Sequence, residues 1–83
     1  MKVLKFYAEW CGPCKAMSVL IDNLGDRIKT KIEEINVDHD RETATKYGIR
    51  GIPTLVIVDD DGKEINRKTG NMSKEDLLKF LEV

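Results

Sequence analysis

The chain has 83 residues, of which 41% are hydrophobic and 35% are charged, and its formal net charge at pH 7 is −1. This size and balance predict one globular domain over residues 1–83. Acidic and basic residues are interspersed, which excludes the basic face of a typical nucleic-acid-binding protein. The longest apolar run, residues 55–58, is far shorter than the roughly 20 residues of a membrane-spanning helix. The charged N-terminal stretch is unlike a signal peptide, so we expect a cytoplasmic protein.

Hydrophobic periodicity predicts seven elements in the order strand, helix, strand, helix, strand, strand, helix. Residues 2–8 form a short apolar and aromatic run, which is typical of a strand. In the next segment apolar residues recur at helical spacing, and Gly25 is expected to stop that helix. Residues 31–37 predict a second strand. Asp40 is a suitable N-cap for a short helix that ends at Tyr47.

The second half of the chain predicts a hairpin followed by a helix. Residues 54–58 have the uninterrupted apolar pattern of a buried strand. An acidic turn at residues 59–62 leads into a strand at residues 63–69, and Ser73 is expected to cap the last helix. The first half is a strand–helix–strand unit, which implies parallel strands and a right-handed crossover. The predicted fold class is therefore α/β, with a mixed four-stranded sheet flanked by three helices.

Two cysteines, Cys11 and Cys14, are separated by two residues at the junction of a strand and a helix. One helical turn brings such a pair within the short Cα separation of a disulfide. At the N-terminus of the helix, free backbone N–H groups and the helix dipole stabilise a thiolate on Cys11. Cys14, one turn further on, is suited to resolve the mixed disulfide that Cys11 forms with a substrate.

The residues around the pair favour redox chemistry over a metal site. Gly12 lets a partner approach closely, and Pro13 fits the first helical turn, where its missing N–H has no partner to lose. The alternative is half of a structural zinc site, which requires four ligands. Besides the two cysteines the sequence offers His39 as a further candidate. We therefore expect no metal.

Three segments make the sequence resemble the thioredoxin family over essentially its whole length. Residues 8–15, Ala-Glu-Trp-Cys-Gly-Pro-Cys-Lys, are similar to the active-site signature of that family. Residues 46–55 resemble the segment that carries the family's cis-proline. Residues 69–74 are similar to the segment with a glycine ahead of the last helix.

The resemblance implies a role for each matching residue and for the chain as a whole. Cys11 matches the nucleophile and Cys14 the resolving cysteine. The matching substrate-binding residues are Trp10, Gly12, Pro13, Ile52, Pro53 and Gly70. The implied function is a monomeric protein disulfide reductase without a cofactor. It acts on disulfide-containing proteins, serves electron transport and cell redox homeostasis, and is itself reduced by a partner such as thioredoxin reductase.

The sequence departs from the family pattern in three respects, two of which concern the sheet edge and the charges near the cysteines. It lacks the strand and helix that ordinarily precede the one reaching the cysteines, so residues 31–37 should form an exposed sheet edge rich in charge. Where the family has a buried aspartate six residues before the first cysteine, this chain has Lys5. Glu34 occupies the position of the family's partner lysine. Either the two charges tune the cysteines in exchanged positions, or Lys5 extends to solvent across an uncovered face. The second interpretation is slightly favoured.

Two other functions remain open at this point. A glutaredoxin-like enzyme reduced by glutathione suits the short chain, although the Cys-Gly-Pro-Cys sequence beside Trp10 is thioredoxin-like. A non-enzymatic subunit could use the fold only to bind another protein, and its cysteines would then be dispensable.

Overall fold

The computed structural model describes residues 1–82 and contains one four-stranded sheet flanked by three helices. The strands are β1 (Lys2–Tyr7), β2 (Ile32–Asn36), β3 (Thr54–Val58) and β4 (Glu64–Thr69). The helices are α1 (Gly12–Leu24), α2 (Arg41–Lys46) and α3 (Lys74–Leu81). The sheet order is β2-β1-β3-β4, with β1 and β2 parallel and the other neighbours antiparallel. The predicted α/β fold and its element order are confirmed.

The ends of several elements differ from the sequence-based expectation by one residue. The region after α1 differs more. Gly25 ends the helix as predicted, with φ +48°, but the chain then continues as a short 3-10 helix, Gly25–Arg27. The N–H of Ile28 donates to the carbonyl of Gly25 at 3.1 Å, which closes this tighter turn. A glycine tolerates the positive φ that redirects the backbone here.

Both predicted helix caps are present. The Ser73 hydroxyl accepts a hydrogen bond from the N–H of Asp76 at 3.1 Å, and the Asp40 carboxylate accepts one from the N–H of Thr43 at 3.1 Å.

The Asp40 cap makes stability depend on pH. The Thr43 hydroxyl and backbone N–H together lower the pKa of Asp40 below its ordinary value. Because the folded-state pKa is lowered, this cap stabilises the protein above the unfolded-state pKa of Asp40. The contribution is lost as the pH falls through the folded-state pKa.

Two hydrophobic clusters lie on opposite faces of the sheet, as the alternation of side chains along β1 and β3 requires. The cluster that packs against α1 and α3 contains seven buried residues: Val3, Met17, Leu24, Leu55, Ile57, Leu77 and Leu81. The cluster on the α2 side contains Leu4, Phe6, Ile35, Val56 and Val58. β3 contributes to both clusters and all its residues are buried. Among residues 1–82, no helix is long and apolar enough to cross a membrane.

Strand β2 lies at the edge of the sheet and pairs with β1 alone among the described strands. The N–H of Val3 donates to Lys31 and the N–H of Val37 donates to Tyr7, each at 2.9 Å. In a parallel ladder this register turns the N–H of Glu33 and Ile35 toward β1, and those of the alternate residues outward.

Hydrogen exchange should therefore alternate along β2. We expect slow exchange at the amides of Glu33 and Ile35 and fast exchange at Ile32, Glu34 and Asn36, because only the first set is paired with β1. Exchange measured by NMR at neutral pH checks this pattern. Uniform protection of all five amides in the monomer would show that another segment covers this edge.

Candidate active site

The two cysteines lie where β1 gives way to α1. Cys11 is the N-cap residue of α1, with extended backbone angles, and its Sγ accepts a hydrogen bond from the N–H of Cys14 at 3.1 Å. The two residues form a disulfide with a Cα–Cα separation of 5.2 Å. Because an N–H of the first helical turn points at the Cys11 sulfur, the same position stabilises a thiolate once the disulfide is reduced.

Both cysteines belong to a small buried cluster that also contains Ala8. Cys11 is 4% exposed and Cys14 is 2% exposed. Tyr7, Val37 and Ile52 pack against this cluster from β1, from the segment after β2 and from the loop before β3. The disulfide is therefore held by residues from three parts of the chain, and it does not project freely from the surface.

The residues between the cysteines leave one side of the pair open. Gly12 and Pro13 are both exposed, and a Cβ added at Gly12 would meet no atom within 4 Å. Pro13 lies in the first turn of α1, as its sequence position predicts. A partner molecule can therefore approach Cys11 over this loop.

The loop before β3 lies against the cysteines and carries a cis peptide bond between Ile52 and Pro53. The N–H of Gly70 donates to the carbonyl of Pro53 at 2.8 Å, so the start of β3 and the end of β4 meet beside this bond. Gly70 has φ +90°, a conformation that side chains with a Cβ rarely adopt. The structure therefore packs Ile52 against the cysteine cluster and joins Pro53 to Gly70 by a backbone hydrogen bond.

Trp10 is 71% exposed although it is the largest apolar side chain near the cysteines. Its indole Nε1 donates a hydrogen bond to the Asp38 carboxylate at 2.8 Å, which holds the ring over the surface. Beside the ring is a groove whose lining includes Val37, Ile49 and Ile52. Asp38 was missed by the sequence analysis, since nothing local to residue 38 indicates that it follows β2 to a position next to Trp10.

Lys5 and Glu34, the two residues of the exchanged charge pattern, are neighbours across β1 and β2. The Lys5 Nζ lies 3.7 Å from the Glu34 Oε1. The favoured expectation that Lys5 extends to solvent is wrong, because its side chain is 2% exposed. Lys5 lies on the face that α1 covers, and its Nζ donates a hydrogen bond to the hydroxyl of Ser18. Ser18 is a second residue that the sequence analysis missed.

The alternative of a zinc site finds no support in the arrangement of side chains. Within residues 1–82, no group of three or more His, Cys, Asp or Glu side chains is placed to hold one metal ion. His39 is exposed in the turn after β2. The cysteines are joined to each other as a disulfide, which is the state that dithiol chemistry requires of an oxidised pair.

Comparison with known proteins gives a consistent result along the whole chain. The sequence model of the thioredoxin family matches residues 1–83. A thioredoxin of Pseudomonas aeruginosa is 39% identical over 82 residues, which are 96% of this chain and 75% of that protein. A thioredoxin of Rhodospirillum rubrum is 42% identical over 81 residues, which are 93% of this chain and 75% of that protein.

Solved structures show the same relationship. A mutant thioredoxin from Halobacterium salinarum superimposes with a TM-score of 0.85 at 32% identity, over 96% of this chain and 70% of that one. The thioredoxin of Fasciola hepatica gives a TM-score of 0.82 at 32% identity, over 95% and 75% of the two chains. This chain therefore belongs to the thioredoxin family, as a thiol–disulfide oxidoreductase that works through its Cys11–Cys14 pair.

Proposed function

We propose that residues 1–83 form a single-domain, monomeric enzyme that reduces disulfides in other proteins. The observation that carries the proposal is the position of Cys11 at the N-cap of α1, with the N–H of Cys14 directed at its sulfur. This environment favours the anionic form of Cys11, and the thiolate is the nucleophile in disulfide exchange. Cys14 lies close enough to Cys11 to form the intramolecular disulfide that ends the reaction.

The reaction consists of two exchange steps. The Cys11 thiolate attacks one sulfur of a substrate disulfide, forms a mixed disulfide and releases the other substrate sulfur as a thiolate. Cys14 then loses its proton to solvent and attacks the Cys11 sulfur. The Cys11–Cys14 bond forms, the bond from Cys11 to the substrate breaks, and the second substrate sulfur leaves as a thiolate. Two electrons pass from the dithiol to the substrate, and no metal or organic cofactor takes part.

Substrate binding is assigned to the residues around the open side of the pair. Trp10 offers an exposed aromatic surface, and aromatic residues of this kind often anchor protein partners. Gly12 and Pro13 form the exposed loop over which the partner approaches. Ile52 and Pro53, next to Gly70, provide a backbone edge for an extended peptide of the substrate.

The electron donor is proposed to be a protein reductase of the thioredoxin reductase type, in the cytoplasm, as part of cellular electron transport and redox homeostasis. The sequence of residues 8–15 supports this donor, because it resembles thioredoxins along its full length. Glutathione is the second candidate donor, since the four-stranded core is as small as that of a glutaredoxin.

A comparison of the two donors tests the proposal. Turnover on the disulfides of insulin should be at least about tenfold faster with a thioredoxin reductase than with glutathione, when each is supplied with its own reducing system. The double variant Cys11→Ser, Cys14→Ser serves as the blank and should show no turnover with either donor. Faster turnover with glutathione would assign the chain to the glutaredoxin type of reaction. A binding role would be indicated if the double variant kept the full biological effect.

A further inference from the structure

Lys5 is the one charged side chain that is buried among the described residues. Side chains alternate along β1, so Lys5 shares its face with Val3, which packs under α1 and α3. A lysine is rarely buried completely because its ammonium group loses hydration, and such a group requires nearby partners. The two-step exchange reaction described above gives Lys5 no role.

The partners of the Lys5 ammonium come from three elements. Its Nζ donates to the Ser18 hydroxyl of α1, lies 3.7 Å from the Glu34 carboxylate of β2, and lies 5.6 Å from the centre of the Tyr7 ring. Glu34 is 55% exposed, so water screens much of its negative charge. The positive charge on Lys5 is therefore only partly neutralised inside the protein.

The position of Ser18 connects this buried charge to the active site. Ser18 follows Cys14 by four residues, so the two side chains lie on the same side of α1, one turn apart. Cys14, Ser18 and Tyr7 line one opening at the surface, together with Ala8. The hydroxyl that receives the Lys5 hydrogen bond is therefore next to the resolving cysteine. The charged residues at the mouth of this opening are Glu9 and Lys15, one of each sign.

We propose that Lys5 is a positioning residue that holds a fixed positive charge beneath Cys14 and thereby favours the thiolate with which Cys14 resolves the mixed disulfide. The proposal rests on the function described above. When the Cys14 thiol loses its proton, the proton leaves through the opening beside Ser18. The new thiolate is stabilised by the nearby ammonium. A carboxylate at position 5 would act in the opposite direction, because it would repel the same thiolate.

The effect is measured on a chain with a single thiol, the Cys11→Ser variant. Its Cys14 is alkylated with iodoacetamide over a range of pH, and the midpoint of the rate profile reports the pKa of Cys14. Adding Lys5→Met should raise this midpoint by about one unit, a tenfold loss of thiolate at neutral pH. Lys2→Met is the matched control. It removes the other cross-strand pair of β1 and β2, with Glu33 at 2.7 Å, near the far end of β1, and should leave the midpoint unchanged.

A second variant gives a shift of opposite sign. Glu34→Gln removes the negative charge that partly neutralises Lys5, so the Cys14 midpoint should fall by about 0.3 units, a small effect because Glu34 is screened by water. Glu34 lies on the exposed edge strand, and this variant should fold even if Lys5→Met does not. A purely structural role for Lys5 predicts no such pair of opposite shifts.

The rate of resolution provides an independent readout in the chain with both cysteines. The reduced chain is mixed rapidly with oxidised glutathione, so that Cys11 forms a mixed disulfide and one reduced glutathione leaves; release of the second glutathione, as Cys14 attacks, is then followed. Lys5→Met should slow this release about threefold, since the tenfold loss of thiolate is partly offset by the higher nucleophilicity of a more basic sulfur. An unchanged midpoint in both variants overturns the role of Lys5 while leaving the redox function intact. Absence of glutathione release from the unmodified chain would instead overturn the proposed function.

Discussion

Replacing Cys14 with serine is expected to reduce turnover on protein disulfides by roughly 10³-fold or more. It should also leave the protein joined to its substrate. Cys11 keeps its position at the N-cap of α1 in this variant, so the first exchange step still occurs. The serine hydroxyl stays protonated at neutral pH and does not attack a disulfide, so the second step cannot follow.

The trapped species is detected as a covalent adduct by non-reducing electrophoresis and mass spectrometry, and it should disappear on addition of dithiothreitol. Cys11→Ser is the matched control, because it has the same composition change one helical turn away but lacks the nucleophile. It should form no adduct with the same substrate. An adduct that forms with Cys11→Ser and not with Cys14→Ser would reverse the roles assigned to the two sulfurs.

Replacing Phe6 with alanine is expected to lower the free energy of unfolding by about 3–5 kcal/mol. Phe6 is fully buried in the cluster on the α2 side of the sheet, and its ring lies 6.0 Å from that of Tyr47. The substitution leaves a cavity between the sheet and α2, which a small domain has little material to fill. A chain of this length has a total unfolding free energy of only roughly 4–12 kcal/mol. The substitution therefore removes a large fraction of the total stability, and at the lower end of that range much of the population is unfolded at 37 °C.

Urea denaturation followed by circular dichroism measures this change. Ile65→Ala is the matched control, because Ile65 is also apolar but is 51% exposed on β4. Its effect should stay within about 0.5 kcal/mol. Equal losses in the two variants would mean that the cluster under α2 contributes no more to stability than the surface of β4.

The Cys14 and Phe6 substitutions separate the exchange chemistry from the stability of the fold that supports it. The cysteines lie at the end of β1, and the sheet that holds β1 is anchored on one face by Phe6 and on the other by α1 and α3. Loss of Phe6 should therefore reduce activity through unfolding, while the surviving folded molecules keep normal exchange chemistry. Loss of Cys14 should abolish turnover with no comparable change in stability.

Much of the fold follows from the sequence, because its signals are local. The apolar run at residues 54–58 predicts the fully buried β3, and Ser73 and Asp40 mark the starts of α3 and α2. The redox pair is local as well. Two cysteines three positions apart at the start of a helix lie within disulfide distance of each other, because one helical turn brings their Cα atoms together.

Other features of the site depend on residues that are distant in the chain, and only the tertiary structure decided them. Lys5 and Ser18 are 13 residues apart, and Trp10 and Asp38 are 28 apart. The alternation along β1 placed Lys5 on one face, but it did not show whether a helix covers that face or what partner the ammonium finds there. Burial of a charge is decided by the packing of β1, β2 and α1 together. The sequence by itself therefore determined where the two sulfurs meet, and the packing decided that a charged side chain, Lys5, is buried against α1.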